Sequence, residues 1–260
     1  MNIDLFLASF SAFSMSHLSP TFQVFVYALL TAIATGLGAL PFLFIKGLSE
    51  RLTHYADSIA AGLMLIASFQ LVNEGRAEGL SLTLLGIVMG FTLLVLIKKN
   101  IDFDFADTWK DMDRGDVSKI FLILGVMTLH SFAEGVGVGV SFARSDTFGI
   151  YISSAIALHN IPEGIAISIV LVSRGVSVWK SALWAIFTSL PQPLLAVPSF
   201  LLVEVFEPFL PIGMGLAAGA MVWICFSELL PEPFRKQKTI YVLAAIIIGM
   251  LLMLGLQLLL

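Results

Sequence analysis

Charge is what this sequence has least of. Only 12% of its 260 residues are Asp, Glu, Lys or Arg, against about 25% in ordinary globular domains, while 58% are hydrophobic. A soluble fold of this size could not hide so much apolar surface. The shortage therefore excludes a water-soluble domain and leaves an all-α polytopic membrane protein, a single unit over residues 1–260 set in a lipid bilayer. Cysteine is nearly absent. Cys225 is the only one, which excludes an internal disulfide or a thiolate cluster and leaves a small hydrophobe packed inside a helix. Basic excess is missing too: the net charge of −4 excludes a nucleic-acid partner. Histidine occurs four times, at His17, His54, His130 and His159, too rarely for a histidine-rich di-iron oxidase. No H-E-x-x-H is present to mark a zinc protease. The first twenty residues lack a basic n-region and a small-x-small cleavage site. They read as a short outer-face helix ending at Ser19-Pro20 rather than as a signal peptide.

Long apolar runs are what is there. Eight are long enough to span a bilayer: 22–45, 57–73, 80–97, 119–142, 149–172, 180–203, 211–230 and 239–260. The longest connection, Lys98–Ser118, is polar and reads as a solvated loop. The 14 basic residues sort by side. The first, third, fifth and seventh connections hold all but Arg76 and Arg144, so the positive-inside rule puts both termini outside. An internal repeat is visible as well. Leu37–Pro41 matches Leu194–Pro198, Ala60–Met64 matches Ala217–Met221, and Phe69 matches Phe226, all at one offset of 157 residues. Spans one and six cross in opposite senses, as do two and seven. The pattern is an inverted repeat of 3+2+3 spans, the arrangement of secondary transporters with a site near the midplane.

The fourth and fifth spans carry near copies of one motif, His130–Gly135 (H-S-F-A-E-G) and His159–Gly164 (H-N-I-P-E-G). In each, His and Glu stand four apart and share a helix face. If the two spans pack antiparallel, His130, Glu134, His159 and Glu163 meet at mid-membrane. An unpaired ionisable group at a helix centre costs about 2.5–3.5 kcal/mol on insertion scales. One divalent cation would neutralise both carboxylates. Two imidazoles and two carboxylates suit zinc, iron, manganese or cadmium better than calcium or magnesium, which prefer oxygen shells. The bland alternative is a hydrogen-bonded His–Glu cluster that ties two helices together. Ser131 and Asn160, each one residue past a histidine, are turned about 100° from the main face and read as facing a neighbouring ion position. Gln192 in span six reads either as a contributor there or as a helix–helix hydrogen bond. Glu228, Gln70, Met64 and Met221 are weaker candidates, the methionines reading as packing. Pro162 removes an N–H from the Leu158 carbonyl and is expected to break span five. Gly135, Gly137, Gly139 and Gly164 read as close helix approach. Glu74, Glu78, Asp146, Glu204 and Glu207 outnumber Arg76 and Arg144 on the outer side, a vestibule that would concentrate cations. His17 and His54 read as surface residues.

The two motifs resemble the span-four and span-five signatures of the ZIP (Zrt/Irt-like) divalent metal transporters. Thr35–Pro41 (T-G-L-G-A-L-P), Ala60–Phe69 and Ala217–Glu232 are similar to further stretches of that family, nearest its GufA-like bacterial branch. The resemblance implies eight spans with both termini outside and residence in a bacterial inner membrane. It implies uptake of zinc or iron toward the cytosol, with the metal as substrate and no organic cofactor. It gives His130, Glu134, His159 and Glu163 to a first metal site. Ser131, Glu134, Asn160, Glu163 and Gln192 go to a second, with both glutamates bridging. It also implies movement of spans one, four, five and six past the others, often in a dimer. This chain departs where relatives often carry Asn (Ser131), where many carry a carboxylate (Gln192), and in a cytosolic loop without histidine. The first two departures weaken the second site; the third removes an obvious metal sensor.

The sequence thus points to a non-enzymatic carrier of divalent transition metal. The alternative is a membrane sensor or scaffold that binds metal without moving it. An intramembrane hydrolase lacks evident oxyanion donors and a nucleophile.

Overall fold

The break between the first two long helices of the second half shows how little is needed to reverse this chain. Ser145, alone between Arg144 and Asp146, is extended at φ −170°, ψ 152°. Its N–H donates to the Ser141 carbonyl and closes one helix, while its hydroxyl accepts from the Phe148 N–H and opens the next. The two helices, α3 (Arg114–Arg144) and α4 (Asp146–Ser173), are therefore neighbours in space.

The structure is a computed structural model describing residues 19–44, 49–100 and 113–258. His17, Lys46, Lys110 and positions 101–112 of the polar loop lie outside those residues. Among the described residues every regular element is helical. Before α3 come α1 (Pro20–Leu37), continued by a 3₁₀ turn at Leu40–Phe44, and α2 (Glu50–Asn100). After α4 come α5 (Val178–Ser189), α6 (Pro191–Leu201), α7 (Leu210–Ile224) and α8 (Thr239–Leu258). Among the described residues six segments are long and apolar enough to cross a membrane, and Thr239–Gly255 is a shorter apolar helix.

Some boundaries differ from the sequence reading. Two spans are expected at 57–73 and 80–97. They appear as one 51-residue helical run bent at Gly79, where the backbone turns extended (φ 172°, ψ 95°). Span six is two helices, because Leu190 closes α5 and Pro191 restarts α6; a proline costs little at a first helical position. Pro162 does the opposite of what is expected. The α4 helix runs through it unbroken, since packing on both sides outweighs one missing N–H. After α7 the chain widens into a π turn at Cys225–Leu229, closed by the Leu230 N–H on the Cys225 carbonyl (3.0 Å).

The helices form two groups. In one, α2 packs against α7 and α8. Gly86 and Gly90 on α2 and Gly215 and Gly219 on α7 let the backbones meet, and a Cβ at any of them would strike a carbonyl oxygen across the crossing. In the other group α1 lies on α4, α5 and α6, and α3 lies on α4 and α6. The groups meet where α3 faces α7 and α2 faces α4.

Ion pairs tie both ends of that seam. At one end the fully buried Asp57 accepts two hydrogen bonds from Arg174 (2.8 and 2.7 Å), and Lys119 lies 3.4 Å away. Arg174 also donates to Asp116 (2.7 Å), and Lys119 reaches Glu232 (3.3 Å). At the other end Arg144 pairs with Glu207 and lies 3.9 Å from Glu78, so part of the acidic mouth is neutralised. His54 is buried beside this framework rather than exposed as expected, with its Nδ1 lacking a hydrogen-bond partner. Its helix face turns inward with Asp57.

Candidate metal centre

Two consecutive antiparallel helices bring their i, i+4 pairs to one point. On α3, His130 Nε2 lies 3.5 Å from Glu134 Oε1. On α4, His159 Nε2 lies 3.3 Å from Glu163 Oε1. Across the pair, His130 Nε2 also contacts Glu163 Oε1, and the two imidazole centroids are 6.0 Å apart. One ligand atom from each of the four residues lies within 4.8 Å of all the others. His130, Glu134 and Glu163 are buried, while His159 is only half-buried and forms the accessible corner. Neither ring nitrogen of His130 nor Glu163 Oε1 completes a hydrogen bond. His130 Nδ1 has no partner at all, while His130 Nε2 and Glu163 Oε1 face each other and are atoms a divalent ion would take between them.

Helix contacts aim the set. A Cβ at Gly164 would collide with the Thr35 carbonyl and fall 3.2 Å from Gly38 Cα. Glycine there lets α1 lie directly on α4. Gly135 and Gly139 do the same for α3 on α6, but Gly137 has open space around it. Its reading as a close-approach position is not borne out.

Gln192, expected beside the ions, is fully buried at the start of α6. Its Nε2 donates to Glu134 Oε2. Its Oε1 accepts from Asn160 Nδ2 (3.1 Å) and from the Thr31 hydroxyl (2.5 Å). Asn160 Nδ2 also donates to the Thr31 carbonyl (2.8 Å), and Asn160 Oδ1 is buried without a partner. Gln192 thus makes helix–helix hydrogen bonds, one of them to Glu134 of the cluster. Ser131 is buried next to His130. Glu228 is drawn away to Lys98. Met64 and Met221 line a small apolar cavity with Met127, Met253, Pro162 and Glu163, which fits packing.

Thr31 is the residue that sequence reasoning passes over. It bonds both carboxamides, yet a threonine inside an apolar run reads as neutral filler. The available signal is the four-residue spacing of Thr31 and Thr35, which puts two hydroxyls on one face of α1. Thr35 meets Ser189 on α5 (2.7 Å).

Comparison with known proteins is consistent with this geometry. The chain is similar to a protein of Arabidopsis thaliana provisionally named a zinc transporter, 46% identical over 225 residues. That match covers 85% of this chain but only 36% of the plant protein's length. It is similar to zinc transporter GufA of Myxococcus xanthus, 28% identical over 223 residues, covering 81% of this chain and 88% of that one. It is also 31% identical over 243 residues to zinc transporter ZIPB of Bordetella bronchiseptica, covering 86% and 77%. The pattern of the family described as ZIP zinc transporter matches residues 107–257, and with it the span-four and span-five motifs. By these matches the chain belongs to the ZIP zinc transporter family.

Proposed function

We propose that the protein carries divalent transition metal, zinc foremost, across a membrane into the cytosol. His130, Glu134, His159 and Glu163 hold the ion, with Asn160, Ser131 and Gln192 beside it. The observation that carries this is the convergence of four ligand atoms within 4.8 Å inside apolar helices. Two carboxylates balance one divalent charge, so the loaded site is nearly neutral where an unpaired charge is costly. Borderline imidazole and carboxylate ligands also admit iron, manganese or cadmium.

The finer arrangement is part of the same reading. Cutting α2 at Gly79 and counting α8 takes six candidate segments to eight crossings in a 3+2+3 order. Burial at the 157-residue offset supports the repeat: Phe69 and Phe226 are 62% and 61% exposed, while Met64 and Met221 are buried. Both termini would lie outside a bacterial inner membrane, with the protein as a single unit or paired in a dimer.

Zinc uptake into proteoliposomes tests the proposal. The wild type should load the vesicles, and Glu163→Ala and His159→Ala should each lose most of that rate. Wild-type rates in both variants would sink the assignment. Bound metal without uptake in the wild type would turn the reading to a sensor or scaffold.

A further inference from the structure

We propose that Thr31 is a positioning residue for the metal centre, letting Gln192 present either end of its carboxamide to Glu134. The inference rests on the site proposed above and adds a residue that is not one of its ligands.

The Thr31 hydroxyl has two acceptors in reach, Gln192 Oε1 at 2.5 Å and the Ala28 carbonyl at 2.6 Å. A hydroxyl has one proton and two lone pairs, so it serves one acceptor at a time. When the proton goes to Gln192 Oε1, the amide N–H end faces Glu134, the contact seen here. That setting gives the Glu134 carboxylate a donor, which it needs whenever no cation offsets its charge. An N–H end cannot ligate a metal ion. Once a cation sits on Glu134, the favourable setting is the reverse. Thr31 gives its proton to Ala28, its oxygen accepts the amide N–H, and Gln192 Oε1 turns to the ion.

Asn160 survives the exchange. Its bond to the Thr31 carbonyl uses the backbone and stays (2.8 Å), whereas its contact to Gln192 (3.1 Å) would set donor against donor in the reverse setting, so that N–H must turn away. All four residues are at most 1% exposed apart from Glu134, so water cannot supply the missing donor or acceptor. Thr31 supplies it in both settings; valine, of the same shape, could do so in neither.

Equilibrium zinc binding to the purified protein in detergent tests this without requiring translocation. Thr31→Val should weaken zinc binding roughly three- to tenfold, the size of one hydrogen bond. Thr31→Ser should bind within about twofold of wild type, because the hydroxyl and not the methyl matters. Gln192→Leu removes the turning group, so adding Thr31→Val to it should bring no further loss. Wild-type affinity in Thr31→Val would overturn the proposal. So would a Thr31→Ser protein as weak as the valine variant, which indicates packing, or additive losses in the double variant. Wild-type binding with no uptake would instead defeat the transport reading and leave this one standing.

Discussion

Glu163 and Glu134 have the same sequence context but not the same work. Glu163 Oε1 faces both histidines, whereas Glu134 faces His130 and the Gln192 amide. Removing the charge of Glu163 takes the carboxylate contact from His159 and leaves His130 with Glu134 alone. Glu163→Gln should therefore weaken zinc binding about tenfold or more and by clearly more than Glu134→Gln, as read by competition with a chelating dye. Equal losses would mean the two carboxylates are interchangeable. The convergence of His130, Glu134, His159 and Glu163 was legible because i, i+4 spacing and a one-residue reversal are local facts. The difference between the glutamates was not, since it depends on Gln192 and Thr31, brought in by helices 58 and 161 residues apart from their partners. His54 failed for the same reason: nothing near it in sequence says that its helix face turns inward.

Helix positions depend on where side chains are missing. The α1–α4 contact rests on Gly164 against the Thr35 carbonyl, and the hydrogen bond that the Thr31 carbonyl accepts from Asn160 on α4 depends on that distance. Gly164→Ala forces α1 outward by the width of a methyl group. It should cost about 1–3 kcal/mol in thermal unfolding in detergent and weaken zinc binding as well. Gly137→Ala is the control, because no atom lies within 4 Å of its added Cβ; it should be neutral or slightly stabilising. Sequence treats both glycines alike, since Gly164 closes one motif and Gly137 follows the other, each on an apolar helix. Only the neighbour across the interface separates them. The runs themselves were written in periodicity and composition, whereas the crossing of α2 with α7 through glycines four apart shows only in the contact itself. The bend at Gly79 was legible only as a short gap between runs, because Glu74–Glu78 on one side is polar yet helix-compatible.

At the scale of the whole molecule, two helix groups are tied across one seam by ion pairs of unequal depth. At the Asp57 end the carboxylate is fully buried and the Arg174 side chain is 2% exposed, while at the Arg144 end both partners are 40% exposed or more. Burial alone would depress the charge on Arg174, but the hydrogen bonds and field of Asp57 prevail and raise it above the ordinary guanidinium range. It stays charged wherever the protein is folded, so removing Asp57 leaves a buried guanidinium with only the half-exposed Asp116 to pair it. Asp57→Ala should therefore cost about 3–5 kcal/mol, with little dependence on salt because the pair is shielded from it. Arg144→Ala at the exposed end should cost less than about 1 kcal/mol, and the contribution it removes should fade as salt rises. Replacing both buried partners, Asp57→Leu with Arg174→Met, should recover most of the single variant's loss, because Lys119 keeps Glu232 and the Asp116 left behind is 40% exposed. Thermal unfolding in detergent at low and high salt separates these outcomes. An Asp57→Ala protein as stable as wild type would show that α2 is held to α3 and α4 by apolar packing alone, and that the buried pair is not the tie between the two groups.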